Sequence, residues 1–211
     1  TLLIEIAARD RLFSITDMAD SINNSGLSTV NHASVNYIFR TFSEPNDPLY
    51  STDQSGLTDA DFGCNVEQAW DQQGGELYVK VGVFDTGVNY AHEDFGDGSF
   101  GGSQIKGGGS YAGGPDQSGG LDDPDENGHG TAMAGIIGAT RDNNKGIAGI
   151  AGKNQNSDGV SIYSMRTTPA GPGKLSFKDD LMEAITAGYM DSPNSDYGFG
   201  LHILNLSQGI K

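Results

Sequence analysis

The most restrictive feature of the chain is an apolar run, Leu77 to Phe84 (LYVKVGVF), that ends on Asp85 and is followed by alternating helical and strand-like segments. The run is rich in β-branched and aromatic residues, the composition of a strand buried on both faces. Thr131 to Thr140 (TAMAGIIGAT) is small and apolar on nearly every face and predicts a helix buried in the middle of a domain. Val160 to Met165 predicts a strand, Ser176 to Met190 an amphipathic helix with Leu181, Ile185 and Ala184 inward, and Leu201 to Leu206 another strand. Strands alternating with helices imply right-handed crossovers, hence an α/β fold with a parallel sheet and helices on both faces. In such sheets functional groups gather beyond the carboxyl ends of the strands, where Asp85 stands.

Upstream, Leu2 to Ala8 predicts a strand and Ser34 to Phe42 a second one. Between them Ser14 to Ser25 predicts a helix, capped by Ser14 with Asp17 in its first turn and stopped by Gly26. A strand-helix-strand unit of about forty residues buries too little surface to stand comfortably alone. The two prolines of Ser43 to Tyr50 (SEPNDPLY) mark a linker, which divides the chain into residues 1–45 and 46–211. Beyond it, a short helical segment around Val66 to Asp71 carries the only tryptophan, Trp70. Gly96 to Gly120 is glycine and serine with few apolar anchors and predicts a solvated surface loop. The acidic cluster Asp122, Asp123, Asp125 and Glu126 predicts a solvated face.

Charge narrows the partners. With 12 Lys+Arg against 28 Asp+Glu the net charge is -16, which argues against nucleic-acid phosphates and anionic membranes. Oxygen-rich acidic loops could hold a hard cation such as calcium. One cysteine, Cys64, forbids an internal disulfide and any cysteine-rich metal site. No run approaches the ~20 apolar residues of a membrane helix. The chain begins at Thr1 with neither methionine nor signal peptide, so it is expected to be a processed or excised piece of something longer.

The chemistry centres on Asn127 to Gly135, N-G-H-G-T-A-M-A-G. Glycines on both sides let the backbone around His129 bend and pack closely, leaving the imidazole free to be aimed. Asp85, in V-F-D-T-G-V, sets a carboxylate at the end of a buried strand, suited to holding an imidazole in one tautomer. By spacing alone, a turn or helix-cap aspartate is an equally good reading of Asp85.

Together, D-T-G-V at Asp85, G-H-G-T-A-M-A-G at His129 and N-L-S-Q-G over Asn205 to Gly209 resemble the subtilisin-like serine peptidases, the subtilases. The three motifs stand in the family's order, and the resemblance covers Asn46 to Lys211. It implies that Asp85 is the aspartate of a serine-histidine-aspartate triad and His129 its general base. It implies that Leu206, Ser207 and Gly209 line the substrate cleft and pair with a polypeptide substrate as an added strand. Asp94, in A-H-E-D, matches a position that contributes to a structural calcium site, and Asn143 and Asn144 match another part of it. Glu93 replaces the family's usual proline there. His92 falls where the family carries a non-catalytic histidine, and His32 and His202 read as ordinary strand or loop residues. No cofactor is required for the chemistry.

The family's serine stands in G-T-S, which does not occur in this sequence. Ser207 lacks the glycine two residues earlier that a nucleophile elbow needs, since Asn205 is there. The nucleophile and the oxyanion asparagine are therefore expected beyond Lys211, and the 211 residues alone are expected to be inactive. The resemblance further implies that residues 1–45 are the later part of a pro-segment that sits with its carboxyl end in the cleft before maturation. It also implies self-cleavage between Phe42 and Tyr50, and secretion from a bacterium. Two other readings remain: an inactive subtilase-fold binding or adhesion module, and an aspartic peptidase, which would need a second D-T-G to share a proton with the first.

Overall fold

A computed structural model of the chain describes residues 15–26, 44–59, 61–98, 103–112, 125–169, 178–189 and 198–208. The chain divides into two compact units, Thr1–Thr41 and Phe42–Lys211. In the first, helix α1 spans Ile15–Asn23, and Gly26 beyond it takes a φ of 69°, the left-handed conformation with which glycine ends helices. The strands expected at Leu2 to Ala8 and Ser34 to Phe42 lie outside the described residues.

The second unit opens with three short helices, α2 (Tyr50–Asp53), α3 (Ser55–Thr58) and α4 (Val66–Trp70). It continues as β1 (Lys80–Asp85), β2 (Ile105–Ser110), α5 (His129–Gly138), β3 (Ser161–Arg166), α6 (Lys178–Tyr189) and β4 (Ile203–Asn205). The four strands form one sheet in the order β2-β3-β1-β4, and every pairing is parallel. Strand periodicity sends alternate residues of β1 to opposite faces. Val81 and Val83 pack with Ile105, Ile162 and Ala134 of α5, whereas Phe84 packs with Met165, Leu201 and Ala184 of α6. Helices therefore cover both faces, as the alternation of elements implies. Phe84, Ile105, Ile162 and Met165 are fully buried, each contributing about 1.5–3 kcal/mol over an exposed position.

Four expectations change. The stretch Gly96 to Gly120 is not loop throughout, because IKGGGS at Ile105–Ser110 is strand β2, paired with β3. Its glycines lie against the neighbouring strand: a Cβ on Gly108, whose φ is 138°, would fall 1.9 Å from the Ser164 carbonyl oxygen. Glycine that admits a close backbone approach carries no hydrophobic signature of a strand. Helix α5 is not buried all round; Ile136 is 46% exposed, while Gly130, Ala134, Gly135 and Gly138 face the core. Strand β1 begins at Lys80, where pairing with Ser161 begins, and Leu77 and Tyr78 are exposed. Finally, the segment read as a linker is docked at its far end. Asp47 and Tyr50 are buried, the Leu49 N–H donates to the Gly146 carbonyl at 3.0 Å, and the Tyr50 hydroxyl donates to Glu67 at 2.9 Å.

Among the described residues no helix is long and apolar enough to cross a membrane.

Candidate active site

Strand β1 delivers Asp85 at its last position on a backbone held from the side. Asp85 is in register with Arg166 of β3, and its carbonyl accepts the N–H groups of Thr167 and Thr168 at 2.9 and 3.1 Å. The carboxylate is 2% exposed. Its Oδ1 accepts the Thr86 N–H at 2.7 Å and lies 2.7 Å from Nδ1 of His129. An ionised carboxylate can only accept hydrogen bonds, so against one a neutral ring carries its proton on Nδ1 and its lone pair on Nε2. The imidazole is 47% exposed. A buried carboxylate behind a half-exposed imidazole can hold that ring in one orientation while its far side stays open. Asp85 Oδ2 is buried and has no hydrogen-bond donor among the described residues.

Helix α5 delivers His129 as its first residue, and the two flanking glycines serve different purposes. Gly128 has φ 88°, a left-handed turn into the helix. Gly130 permits contact: a Cβ there would fall 2.1 Å from the Gly87 carbonyl oxygen and 3.0 Å from Asp85 Cβ. The helix thus starts directly on the end of β1.

The first N–H groups of a helix have no intrahelical acceptor. Here side chains take three of them. The His129 N–H donates to Asn127 Oδ1 at 3.3 Å, the Gly130 N–H to Thr86 Oγ1 at 3.0 Å, and the Thr131 N–H to Asp125 Oδ2 at 2.9 Å. Asp125 also accepts the Asn127 and Gly128 N–H groups, the Thr86 hydroxyl at 2.8 Å and the Thr131 hydroxyl at 2.6 Å. Burial alone would raise the Asp125 pKa, but donors from Thr131, Gly128 and Thr86 outweigh it and hold the carboxyl below its ordinary range. The acidic cluster is therefore not simply a solvated face: Asp125 is partly buried and fully engaged. Glu126 is exposed, and Asp122 and Asp123 lie outside the described residues.

Asn205 of β4 is in register with Val83, so Leu206 and Ser207 continue past the same end of the sheet as Asp85. Leu206 is exposed, and the Ser207 hydroxyl accepts Asn205 Nδ2 at 2.9 Å. Gln208 Nε2 anchors the segment by donating to the Phe84 carbonyl at 2.8 Å and to Thr167 Oγ1 at 2.6 Å. Gly209 lies outside the described residues. The other two described histidines are used locally: His92 Nδ1 accepts the Asp94 N–H, and His202 Nδ1 accepts the Lys80 N–H, while His32 lies outside the described residues.

Asp94 sits apart from the dyad as the anchor of the 142–147 loop. Its Oδ1 accepts Asn143 Nδ2 at 3.0 Å and its Oδ2 the Ile147 N–H at 2.8 Å. Asp47 accepts the Asp142 and Asn143 N–H groups, and the Asn144 N–H donates to Asn46 Oδ1 at 2.7 Å. Asp94 and Asp47 are each 3% exposed, and burial pushes both pKa values up. The donors here are hard oxygens, the chemistry calcium requires. Among the described residues, however, no three or more His, Cys, Asp or Glu side chains group as a metal site.

Residues 78–210, more than half of the chain, match the family model described as "Subtilase family". The chain belongs to the subtilase family. Asp85, His129 and the Asn205 to Gly209 segment all fall within the matched residues of the subtilase model. The chain is similar to a thermophilic serine proteinase of Bacillus sp. (strain AK1), 33% identical over 190 residues that cover 90% of this chain and 39% of that protein. Halolysin of Haloferax mediterranei is 31% identical over 159 residues, 74% of this chain and 26% of that protein. Subtilisin DY of Bacillus licheniformis is 31% identical over 132 residues, 62% of this chain and 37% of that protein. The alignments thus span well under half the length of these curated relatives.

In this subtilase segment the sequence assigns no site role to Asp47, Thr86 or Gln208, and it marks Asp125 only as part of a solvated face. Thr86 and Gln208 belong to quoted motifs, D-T-G-V and N-L-S-Q-G, and Thr131 to G-H-G-T, so a signal existed for them. Asp125, four residues before His129, had none beyond its charge.

Proposed function

We propose that the full-length protein is a serine endopeptidase acting on polypeptides, in which Asp85 orients His129 and His129 is the general base and acid. The carrying observation is the 2.7 Å contact between Asp85 Oδ1 and His129 Nδ1, with the imidazole half exposed. In this reading His129 Nε2 takes the proton of a serine hydroxyl as that oxygen attacks the peptide carbonyl, and returns it to the leaving amine. Asp85 stabilises the imidazolium formed in between. The serine is supplied from outside these 211 residues, in which no G-T-S occurs. Leu206, Ser207 and Gly209 form the strand against which substrate pairs. The continuation of Leu206 and Ser207 from β4, at the same sheet end as Asp85, supports that role.

The reading extends to maturation and to metal. Residues 1–45 act as the later part of a pro-segment, held in the cleft until cleavage between Phe42 and Tyr50, in a secreted bacterial enzyme. A structural calcium ion, not needed for the chemistry, is held near Asp94 by that carboxylate and the Asn143-Asn144 loop. The two buried carboxylates, Asp94 and Asp47, support this; the ion would replace Asn143 Nδ2 and the Ile147 N–H as partners of Asp94.

The test is hydrolysis of a peptide substrate by the full-length protein. Activity abolished both by a serine-directed sulfonyl fluoride and by His129→Ala is expected. Activity that survives either one overturns the reading.

A further inference from the structure

The network around Asp125 joins the two elements that carry the dyad. Its carboxylate receives the Thr131 hydroxyl at 2.6 Å and the Thr131, Gly128 and Asn127 N–H groups from the start of α5. It receives the Thr86 hydroxyl at 2.8 Å from the turn after β1. Thr86 is the residue whose N–H is bound to Asp85 Oδ1, and its Oγ1 accepts the Gly130 N–H at 3.0 Å. Asp85, Thr86, Asp125 and the first turn of α5 therefore form a closed circuit, completed by the Asp85–His129 contact itself. Thr131 Oγ1 extends the circuit by accepting the Asn89 N–H at 2.9 Å.

We propose that Asp125 is a positioning residue for the dyad: by binding Thr86 and the amino end of α5 together, it sets the relation of the Asp85 carboxylate to the His129 ring. An N-terminal cap alone would need bonds only to its own helix. The bond to Thr86 is what couples the cap to the strand end. Its donors outweigh the effect of burial and hold the carboxyl below its ordinary range, which favours the ionised form that accepts all of these bonds. The circuit closes over short, well-paired contacts, the condition under which a small displacement is felt at a reacting group.

Asp125→Asn is nearly isosteric. It keeps one acceptor oxygen and sets an amide against the donors of Thr131 or of Thr86. Thr86→Val cuts the strand-to-helix link, losing both the bond to Asp125 and the Gly130 N–H bond, while leaving the bonds of Asp125 to Thr131, Gly128 and Asn127. This inference rests on the peptidase reading for its kinetics and on the structure for its spectroscopy. In the full-length protein each variant is expected to lower kcat by about tenfold with KM within about twofold, and the double variant to be no worse than either single one. Each is also expected to shift or broaden the low-field proton resonance of His129 Nδ1–H. Glu126→Gln, at an exposed position, serves as the control and is expected to match wild type. Wild-type kcat and an unmoved resonance in Thr86→Val, or in a folded Asp125→Asn that has lost only thermal stability, would overturn the inference. If Asp125→Asn fails to fold, Thr86→Val decides. If the wild-type protein hydrolyses no peptide, the peptidase reading falls, and the resonance alone decides the positioning role.

Discussion

Gly130 meets Gly87 so closely that a single added methyl group would lie 2.1 Å from the Gly87 carbonyl oxygen. That contact seats the amino end of α5 on the end of β1 and brings His129 within 2.7 Å of Asp85 across 44 residues of sequence. Gly130→Ala is accordingly expected to destabilise the protein by roughly 1–3 kcal/mol, the usual range for overpacking. Activity should fall by more than stability explains, because helix and strand must separate at the dyad. Thermal melting and kcat on a peptide substrate check this together; wild-type kcat in a folded variant would contradict it.

Asp125 makes a prediction about acid stability. Its folded-state pKa lies below the ordinary value of 3.8. A depressed carboxyl contributes stability that is fully present above the unfolded pKa and is lost as pH falls through the folded one. The contribution should therefore be full above about pH 4 and decline below it, as the carboxyl protonates in the folded state. Denaturant melts of wild type and Asp125→Asn are expected to differ most at neutral pH and to converge in that acid window. A difference that grows with acid would contradict the assignment.

Calcium at Asp94 is checked by stability rather than activity. Added calcium should raise the melting temperature, and chelator should lower it. Asp94→Ala is expected to abolish the response while also loosening the 142–147 loop, since Asn143 and Ile147 lose their shared acceptor. An unchanged response to calcium in Asp94→Ala would exclude this position as a ligand.

The docked segment around Pro48 sharpens the expected maturation site. From Asp47 onward the chain is tied down by the Tyr50 N–H to the Asp47 carbonyl and by Leu49 to Gly146. A bond within that turn cannot be extended for cleavage without breaking those contacts. Amino-terminal sequencing of matured protein should place the new terminus between Ser43 and Asp47. A terminus upstream of Arg40, or one well inside α2, would contradict the reading.

The parts of the fold with an apolar pattern were legible in the chain itself. LYVKVGVF announced β1, and the alternation of Leu181, Ala184 and Ile185 announced the face of α6 that packs on the sheet. The dyad was legible because Asp85 and His129 lie in compact motifs. Strand β2 was not, because IKGGGS owes its pairing to the room its glycines leave for Tyr163 and Ser164 and not to its own side chains. Asp125 was hidden for a related reason: an acidic run is usually solvated, and only the folded chain shows four residues donating five hydrogen bonds to this one carboxylate. Asp47 lay in a segment whose prolines predict a linker, and its burial depends on the 142–147 loop almost a hundred residues away.

The central claim is that Asp85 holds His129 in the tautomer that lets Nε2 act as a base. The most direct measurement is kcat/KM of the full-length protein against its Asp85→Asn variant on one peptide substrate. Asparagine preserves the shape but offers the ring an amide in place of a carboxylate, so turnover should fall by about 10⁴ while the fold persists. A loss of less than about tenfold, in a variant that melts like wild type, would contradict the account.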